Sequence, residues 1–110
     1  MVTGAVERFS VWQVNLNPTK GSDQAGYRPV LVLSPAEMNQ YLNTVIVAPM
    51  TTRQRGWPSL VSIHHQGKDG EVALDQIRTL DKSRLLQEMG MLEDTYHERV
   101  LEVIAEMFLL

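Results

Sequence analysis

A long polar segment, residues 17–28, stands out as the place where this chain could do chemistry. Its sequence is Asn-Pro-Thr-Lys-Gly-Ser-Asp-Gln-Ala-Gly-Tyr-Arg, and it connects two apolar stretches. Most connections in compact domains are about half as long, and long ones are often functional or mobile. The segment therefore indicates either a functional loop or a flexible hairpin connection.

Cations outside that segment lie near the ends of the expected strands. There they are candidates for contacts with the phosphates of a nucleic acid. Trp57 lies in an expected loop, where its ring could either stack on a base or pack beneath the loop itself. The cations in question are Arg53, Arg55, Lys68, Arg78 and Lys82.

The adjacent His64 and His65 invite comparison with a paired-histidine ribonuclease, but their spacing argues against it. Neighbouring strand residues point to opposite faces, so the two rings cannot converge on one phosphate. With Asp69 they also make a poor metal site, because the chain has no Cys and no suitably spaced third His. We expect both as surface residues, and we expect no metal and no other cofactor.

The composition describes one globular domain, residues 1–110. Hydrophobic residues make up 44% and charged residues 21%. A chain of this length can bury roughly two-thirds of its unfolded surface without cross-links. No apolar run reaches the length of a membrane span, and residues 1–8 lack the apolar core of a secretory signal. The lack of Cys excludes a disulfide framework and suits the cytoplasm. These features exclude membrane, disulfide-rich secreted and fibrous classes.

The formal net charge of -3 by itself disfavours a nucleic-acid partner. The charge is uneven, however. Residues 1–84 carry nine Lys and Arg against seven Asp and Glu, whereas residues 85–110 carry one against six. Acid is concentrated at the C-terminal end, so a neutral or basic face is allowed elsewhere.

Apolar patterning predicts five short strands in the first 80 residues: 9–16, 30–33, 45–48, 60–65 and 71–79. The runs at 30–33 and 45–48 are continuously apolar, which is typical of strands buried on both faces. Five strands in so short a span predict a small, strongly curved sheet or barrel, with Trp12 in its core.

The last residues change to a helical period. Thr95 followed by Glu98 predicts a capping box, and Asp94 adds favourable charge at the helix start. The residues that recur on one face predict an apolar stripe. They are Tyr96, Val100, Val103, Ile104, Met107 and Phe108.

Motifs along the chain resemble those of one toxin family. They are residues 17–30, Val-Leu-Ser-Pro at 32–35, Val-Ala-Pro-Met-Thr-Thr at 47–52, Asp-Gln-Ile-Arg-Thr-Leu-Asp at 75–81 and Gly-Met-Leu at 90–92. In order and spacing they closely resemble the MazF/PemK (Kid) family of toxin endoribonucleases, over nearly the whole chain.

The resemblance implies a mainly β fold with a C-terminal helix, a small SH3-like β-barrel that works as a homodimer. It implies the cytoplasmic toxin of a type II toxin–antitoxin system that cleaves single-stranded RNA at short motifs without a metal. The products would carry 2',3'-cyclic phosphate and 5'-hydroxyl ends. The implied protein partner is an antitoxin whose acidic segment lies along the RNA groove.

Three residues match catalytic positions of that family. Arg28 matches its arginine, and a planar guanidinium suits phosphate binding and charge stabilisation. Thr51 matches a threonine whose hydroxyl can hydrogen-bond the scissile phosphate. Asp23 falls where many relatives carry a glutamate that could act as general base. The substrate-binding residues that we expect are Lys20, Gln24, Arg53, Asp75 and Gln76.

The general base stays open between Asp23 and Asp75. Asp75 matches the carboxylate of the Kid branch, but the arginine and histidine of that branch are Ala73 and Ser22 here. On an ideal strand Asp75 and Gln76 face opposite sides, so they should not both contact one nucleotide unless a bulge intervenes. We therefore favour the MazF-type set around Arg28 and Thr51.

Two other functions compete with RNA cleavage. A CcdB-like toxin of similar fold would bind DNA gyrase without hydrolysis, and an SH3-like module would bind a peptide in an aromatic groove. The loop signature and Thr51 favour cleavage, and the chain has only two Trp, three Tyr and two Phe. In a purely structural role, Arg28 would pair with Asp23 and Thr51 would cap a turn.

Overall fold

The computed structural model describes residues 5–16 and 26–109. Within these ranges the chain is mainly β with a C-terminal helix, as expected. The strands are β1 (Ser10–Asn15), β2 (Tyr27–Val32), β3 (Thr44–Thr51), β4 (Leu60–His65), β5 (Lys68–Ala73), β6 (Arg78–Asp81) and β7 (Leu85–Met91). The α-helices are α1 (Ala36–Tyr41) and α2 (His97–Phe108), and short 3-10 turns cover Leu74–Gln76, Lys82–Arg84 and Asp94–Tyr96.

The strands form one curled antiparallel sheet in the order β4-β5-β3-β2-β1-β7, with β6 also paired to β3. β3 pairs with β2 along one edge. Along its other edge, its first residues, from Thr44, pair with β6 and its last, Met50 and Thr51, pair with β5. The curl brings the two ends of the order together. His65 Nε2, at the end of β4, donates a hydrogen bond to the Met89 carbonyl in β7 at 2.6 Å.

The central strands are buried on both faces, as their continuous apolar runs predict. Two clusters of buried apolar side chains form the core. In β2, Leu31 belongs to the first cluster, whereas its neighbours Val30 and Val32 belong to the second cluster. β3 divides in the same way, with Ala48 in the first cluster and Val47 in the second. The indole of Trp12, expected in the core, is half-buried against the second cluster.

Helix α2 packs its apolar stripe on the first cluster. Val100 and Val103 are buried, and Ile104 packs beside them. Phe108, expected in the same stripe, is exposed instead. In the part of the chain that the structure describes, no helix is long and apolar enough to cross a membrane.

The predicted capping box at the start of this helix is wrong. A 3-10 turn occupies Asp94–Tyr96, and α2 begins at His97 without a side-chain cap. Other contacts hold the helix start. The His97 ring stacks on Phe9 at 3.8 Å, and its Nε2 donates to the Leu92 carbonyl at 2.7 Å.

The predicted single strand over 71–79 is also wrong, since the turn Leu74–Gln76 divides it into β5 and β6. β5 pairs with the end of β3 and β6 with its beginning, so the chain must step from one register to the other. Leu74 is fully buried at that step. The alternation of faces expected for Asp75 and Gln76 therefore does not hold.

Asp81 closes the turn that leads from β6 to β7. The Ser83 hydroxyl and the Ser83 backbone N–H hold the pKa of the Asp81 carboxyl below its ordinary value of 3.8. The backbone N–H donates at 2.9 Å. The turn lets β7, a strand that the apolar pattern does not predict, run back beside β1.

Candidate active site

A groove of about 330 Å³ opens between the end of β3 and the β4–β5 hairpin. Its apolar lining comes from side chains such as Met50 and Ile63, and its charged lining comes from residues at the strand ends. The described lining residues are Gln13, Tyr27, Arg28, Pro29, Met50, Thr51, Thr52, Ile63, His65, Gln66, Lys68, Asp69, Gly70 and Met89.

Arg28 and Thr51 reach this groove from neighbouring strands. Val30 of β2 pairs with Pro49 of β3. Continuing that antiparallel register by two residues puts Arg28 across from Thr51. Both residues are half-buried and both line the groove. The sheet therefore brings together the cation and the hydroxyl that the sequence indicates as a pair.

Thr51 has a defined hydrogen-bonding role at the end of β3. Its Oγ1 accepts a hydrogen bond from the Arg53 backbone N–H at 3.2 Å. A hydroxyl that accepts through a lone pair retains its own O–H for donation. Thr51 can therefore start the following loop and still donate to a phosphate oxygen in the groove.

Gly70 sets how closely β5 approaches this threonine. A Cβ on Gly70 would clash with the Thr51 carbonyl oxygen and crowd the Thr51 carbonyl carbon, 3.3 Å away. Because the contact is with backbone, it cannot be relieved by a side-chain rotation. Glycine at position 70 thus lets the hairpin pack directly on the catalytic candidate.

The two histidines diverge as expected, but one of them is a groove residue. His64 is exposed and bonds to Asp69 Oδ1 through Nδ1 at 2.7 Å. His65, expected on the surface, is half-buried and lines the groove beside Arg28 and Thr51. Ile63 and His65 lie two residues apart on the same face of β4, and both line the groove, so this face of the strand forms part of the groove wall.

The Met89 carbonyl fixes the tautomer of His65. It accepts hydrogen bonds from His65 Nε2 at 2.6 Å and from Gln66 Nε2 at 2.7 Å. A carbonyl cannot donate, so the His65 proton lies on Nε2 and the neutral ring has its acceptor at Nδ1. Sequence reasoning did not place this residue in the groove. The only signal was its position beside the polar hairpin tip that also supplies Lys68.

Three of the other sequence-indicated residues lie outside this groove. Arg53 is exposed on the loop after β3, and Asp75 and Gln76 lie on the 3-10 turn between β5 and β6. These three are not among the described groove-lining residues. Lys20, Asp23 and Gln24 lie outside the described residues, and so does one member of the alternative, structural Arg28–Asp23 pair. Across residues 5–16 and 26–109 no three His, Asp or Glu side chains are grouped as metal ligands.

Comparison with known proteins matches almost the whole chain to one family. Residues 7–108 match the family described as PemK-like, MazF-like toxin of type II toxin-antitoxin system. A relative named endoribonuclease toxin MazF, from Escherichia coli (strain K12), is 40% identical over 70 residues. That alignment covers 64% of this chain and 62% of the relative, so it spans less than two-thirds of the relative's length.

Solved structures match the whole fold. MazF (Form-I) from Deinococcus radiodurans has a TM-score of 0.86 and 28% identity, covering 98% of this chain and 100% of its own. A MazE-MazF crystal structure (Form-II) from the same organism has a TM-score of 0.81 and 28% identity, covering 98% and 99%. The curled sheet with its C-terminal helix is therefore the fold of MazF toxins.

Proposed function

Because this chain belongs to the PemK-like, MazF-like toxin family of type II toxin–antitoxin systems, we propose that it is an endoribonuclease that cleaves single-stranded RNA. The observation that carries the proposal is the convergence of Arg28 and Thr51 in one groove. The name of the Escherichia coli relative, an endoribonuclease toxin, supports the same activity.

The reaction uses the RNA's own 2'-hydroxyl as nucleophile. A base removes its proton, a bond forms between the 2'-oxygen and the adjacent phosphorus, and the bond from phosphorus to the 5'-oxygen breaks. The 5'-oxygen takes up a proton, leaving 2',3'-cyclic phosphate and 5'-hydroxyl ends. Negative charge grows on the phosphate during this step, so a fixed cation beside it lowers the barrier.

Arg28 supplies that cation. A guanidinium stays protonated at physiological pH and can contact two phosphate oxygens at once. The Thr51 hydroxyl donates a hydrogen bond to the same phosphate. We propose Asp23 as the base, because it lies five residues before Arg28 in the chain. Asp75, the alternative, occupies the turn between β5 and β6, and its side chain is exposed.

Substrate contacts extend along the groove and the adjoining loops. Lys68 on the groove wall contacts a phosphate, and the remaining expected residues contact neighbouring nucleotides. They are Lys20, Gln24, Arg53, Asp75 and Gln76. No metal or other cofactor takes part in the proposed reaction, which the protein carries out in the cytoplasm where messenger RNA is translated.

The proposed protein partner is an acidic antitoxin. A segment rich in Asp and Glu would compete with RNA for the cations Arg28 and Lys68. The family description names a toxin–antitoxin system, and one structural neighbour is a MazE-MazF complex. The alternative of a peptide-binding module needs an aromatic groove, but the described lining contains a single phenol or indole ring, that of Tyr27.

Variants of the two groove residues test the catalytic roles. We expect Arg28→Ala to lower the single-turnover cleavage rate about 10²–10³-fold, because the developing charge loses its cation. Arg28→Lys should recover only part of the rate, since an ammonium cannot make the two-pronged contact. Thr51→Val should lose less, because its hydroxyl is neutral.

Arg99→Ala is the matched control, since it removes an equal charge from the exposed pair with Glu102 on α2. It should cleave at the wild-type rate. A folded Arg28→Ala protein that also cleaves at the wild-type rate would remove the groove from the mechanism.

We also propose that the protein is a homodimer. Exposed apolar side chains are available for a subunit contact, among them Leu86 and Met91 on β7 and Phe108 at the end of α2. Sedimentation equilibrium at micromolar concentration should give twice the chain mass of 12.5 kDa. A mass of a single chain at that concentration would contradict the proposal.

A further inference from the structure

Glu71 is a buried carboxylate that the proposed chemistry does not use. It lies on β5 opposite Thr51 of β3, with a residue exposure of 1%. Its Oε1 accepts a hydrogen bond from the Arg55 backbone N–H at 2.7 Å, and its Oε2 accepts one from the Gly56 backbone N–H at 2.9 Å. A buried carboxylate is costly unless its oxygens are paired. Here two backbone amides of the loop after β3 are among its partners.

This anchor fixes a loop that is otherwise exposed. Residues 53–57 all lie on the surface, between the end of β3 and the start of β4. Gly56, whose N–H donates to Glu71, adopts a left-handed conformation with φ 69°, which glycine takes up without the strain that a side chain would cause. Two adjacent amides bound to two oxygens of one carboxylate define both the position and the orientation of the loop.

The anchored loop presents an aromatic ring and a cation together. The Arg55 guanidinium lies 4.8 Å from the centre of the Trp57 ring, and Trp57 is 50% exposed. Any of the four bases can stack on an exposed aromatic ring, because every base has a flat aromatic face. A neighbouring guanidinium adds a contact with a phosphate or with the base. The loop continues directly from the groove residues Thr51 and Thr52.

We propose that Glu71 is a positioning residue for RNA recognition, which holds Arg55 and Trp57 as a stacking site for a nucleotide that flanks the cleaved bond. The inference rests on the proposed function, because it assigns a second part of the same RNA-binding surface. Only a carboxylate offers two acceptor oxygens to the two backbone N–H groups. An amide in its place would direct an NH₂ group at one of the two backbone N–H donors.

The test separates binding from chemistry. An RNA oligonucleotide carrying one cleavage site, mapped with wild-type protein, is the substrate for Glu71→Gln, Trp57→Ala and the double variant. We expect Glu71→Gln and Trp57→Ala each to raise KM about tenfold, the scale of one lost base stack, with kcat unchanged. The double variant should be no worse than either single one, because both remove the same contact.

Glu102→Gln, at an exposed residue of α2, is the matched control and should keep the wild-type KM. Additive losses in the double variant, or a wild-type KM in Trp57→Ala, would overturn the inference. Trp57 is exposed, so that variant remains informative even if Glu71→Gln fails to fold. Wild-type protein that cleaves no RNA would instead contradict the proposed function itself.

Discussion

In the proposed mechanism, Arg28 and Thr51 contact the same phosphate with different strength. A charged, planar donor stabilises developing negative charge more than a neutral hydroxyl does. Both are held by strand pairing, which fixes the backbone at each position: Arg28 pairs with Val14 of β1, and Thr51 pairs with Glu71 of β5. Two of the three proposed catalytic residues therefore lie on paired strands of the sheet, while those that read the RNA sequence are expected on the loops.

A substitution of Gly70 tests how far cleavage depends on the position of Thr51. In Gly70→Ala the new Cβ clashes with the Thr51 carbonyl, so β3 and β5 must separate. We expect a loss of about 1–3 kcal/mol in unfolding free energy, typical of overpacking. We also expect cleavage to slow about tenfold or more, because small misplacements of reacting groups are costly.

Urea denaturation and single-turnover cleavage measure the two effects. Ser62→Ala changes an exposed residue on the neighbouring strand β4 and should leave both quantities near wild type. Wild-type cleavage by a Gly70→Ala protein would show that the threonine position tolerates displacement.

At the scale of elements, the apolar strands could be predicted and the polar ones could not. The strand at 60–65 coincides with β4, and the runs at 30–33 and 45–48 fall within or beside β2 and β3. β7 was missed because it is an edge strand whose middle residues are exposed, which leaves no apolar alternation. The turn Leu74–Gln76 was missed because a buried Leu74 continues the apolar pattern of a strand.

The candidate site was also predictable only in part, because sequence motifs indicate some of its residues and tertiary contacts determine the others. Arg28 and Thr51 were indicated by motifs that resemble those of the toxin family. His65 and Glu71 were not, since their roles depend on tertiary contacts. His65 faces the groove because the sheet curls back toward β7, and Glu71 is buried by loop amides that lie fifteen and sixteen residues away in sequence. Local patterning carries no information on such contacts.

At the scale of the whole molecule, charge distinguishes the proposed RNA-binding groove from the C-terminal helix. The described groove lining includes Arg28 and Lys68 against a single carboxylate, Asp69. Two of the acidic residues in 85–110, Glu98 and Glu102, lie on the exposed side of α2. A chain with a net charge of -3 can therefore still offer a cationic groove to RNA, and the same groove to an acidic antitoxin.

The most direct test of RNA cleavage by the 2'-hydroxyl is an assay with two matched oligonucleotides. Purified protein in excess EDTA is incubated with an RNA containing one mapped site, and with the same RNA carrying a single 2'-deoxy nucleotide before the scissile phosphate. We predict that the first is cut to 2',3'-cyclic phosphate and 5'-hydroxyl ends, and that the second stays intact because its nucleophile is missing. Cutting of the 2'-deoxy substrate, or activity that disappears with EDTA and returns with Mg²⁺, would contradict the account.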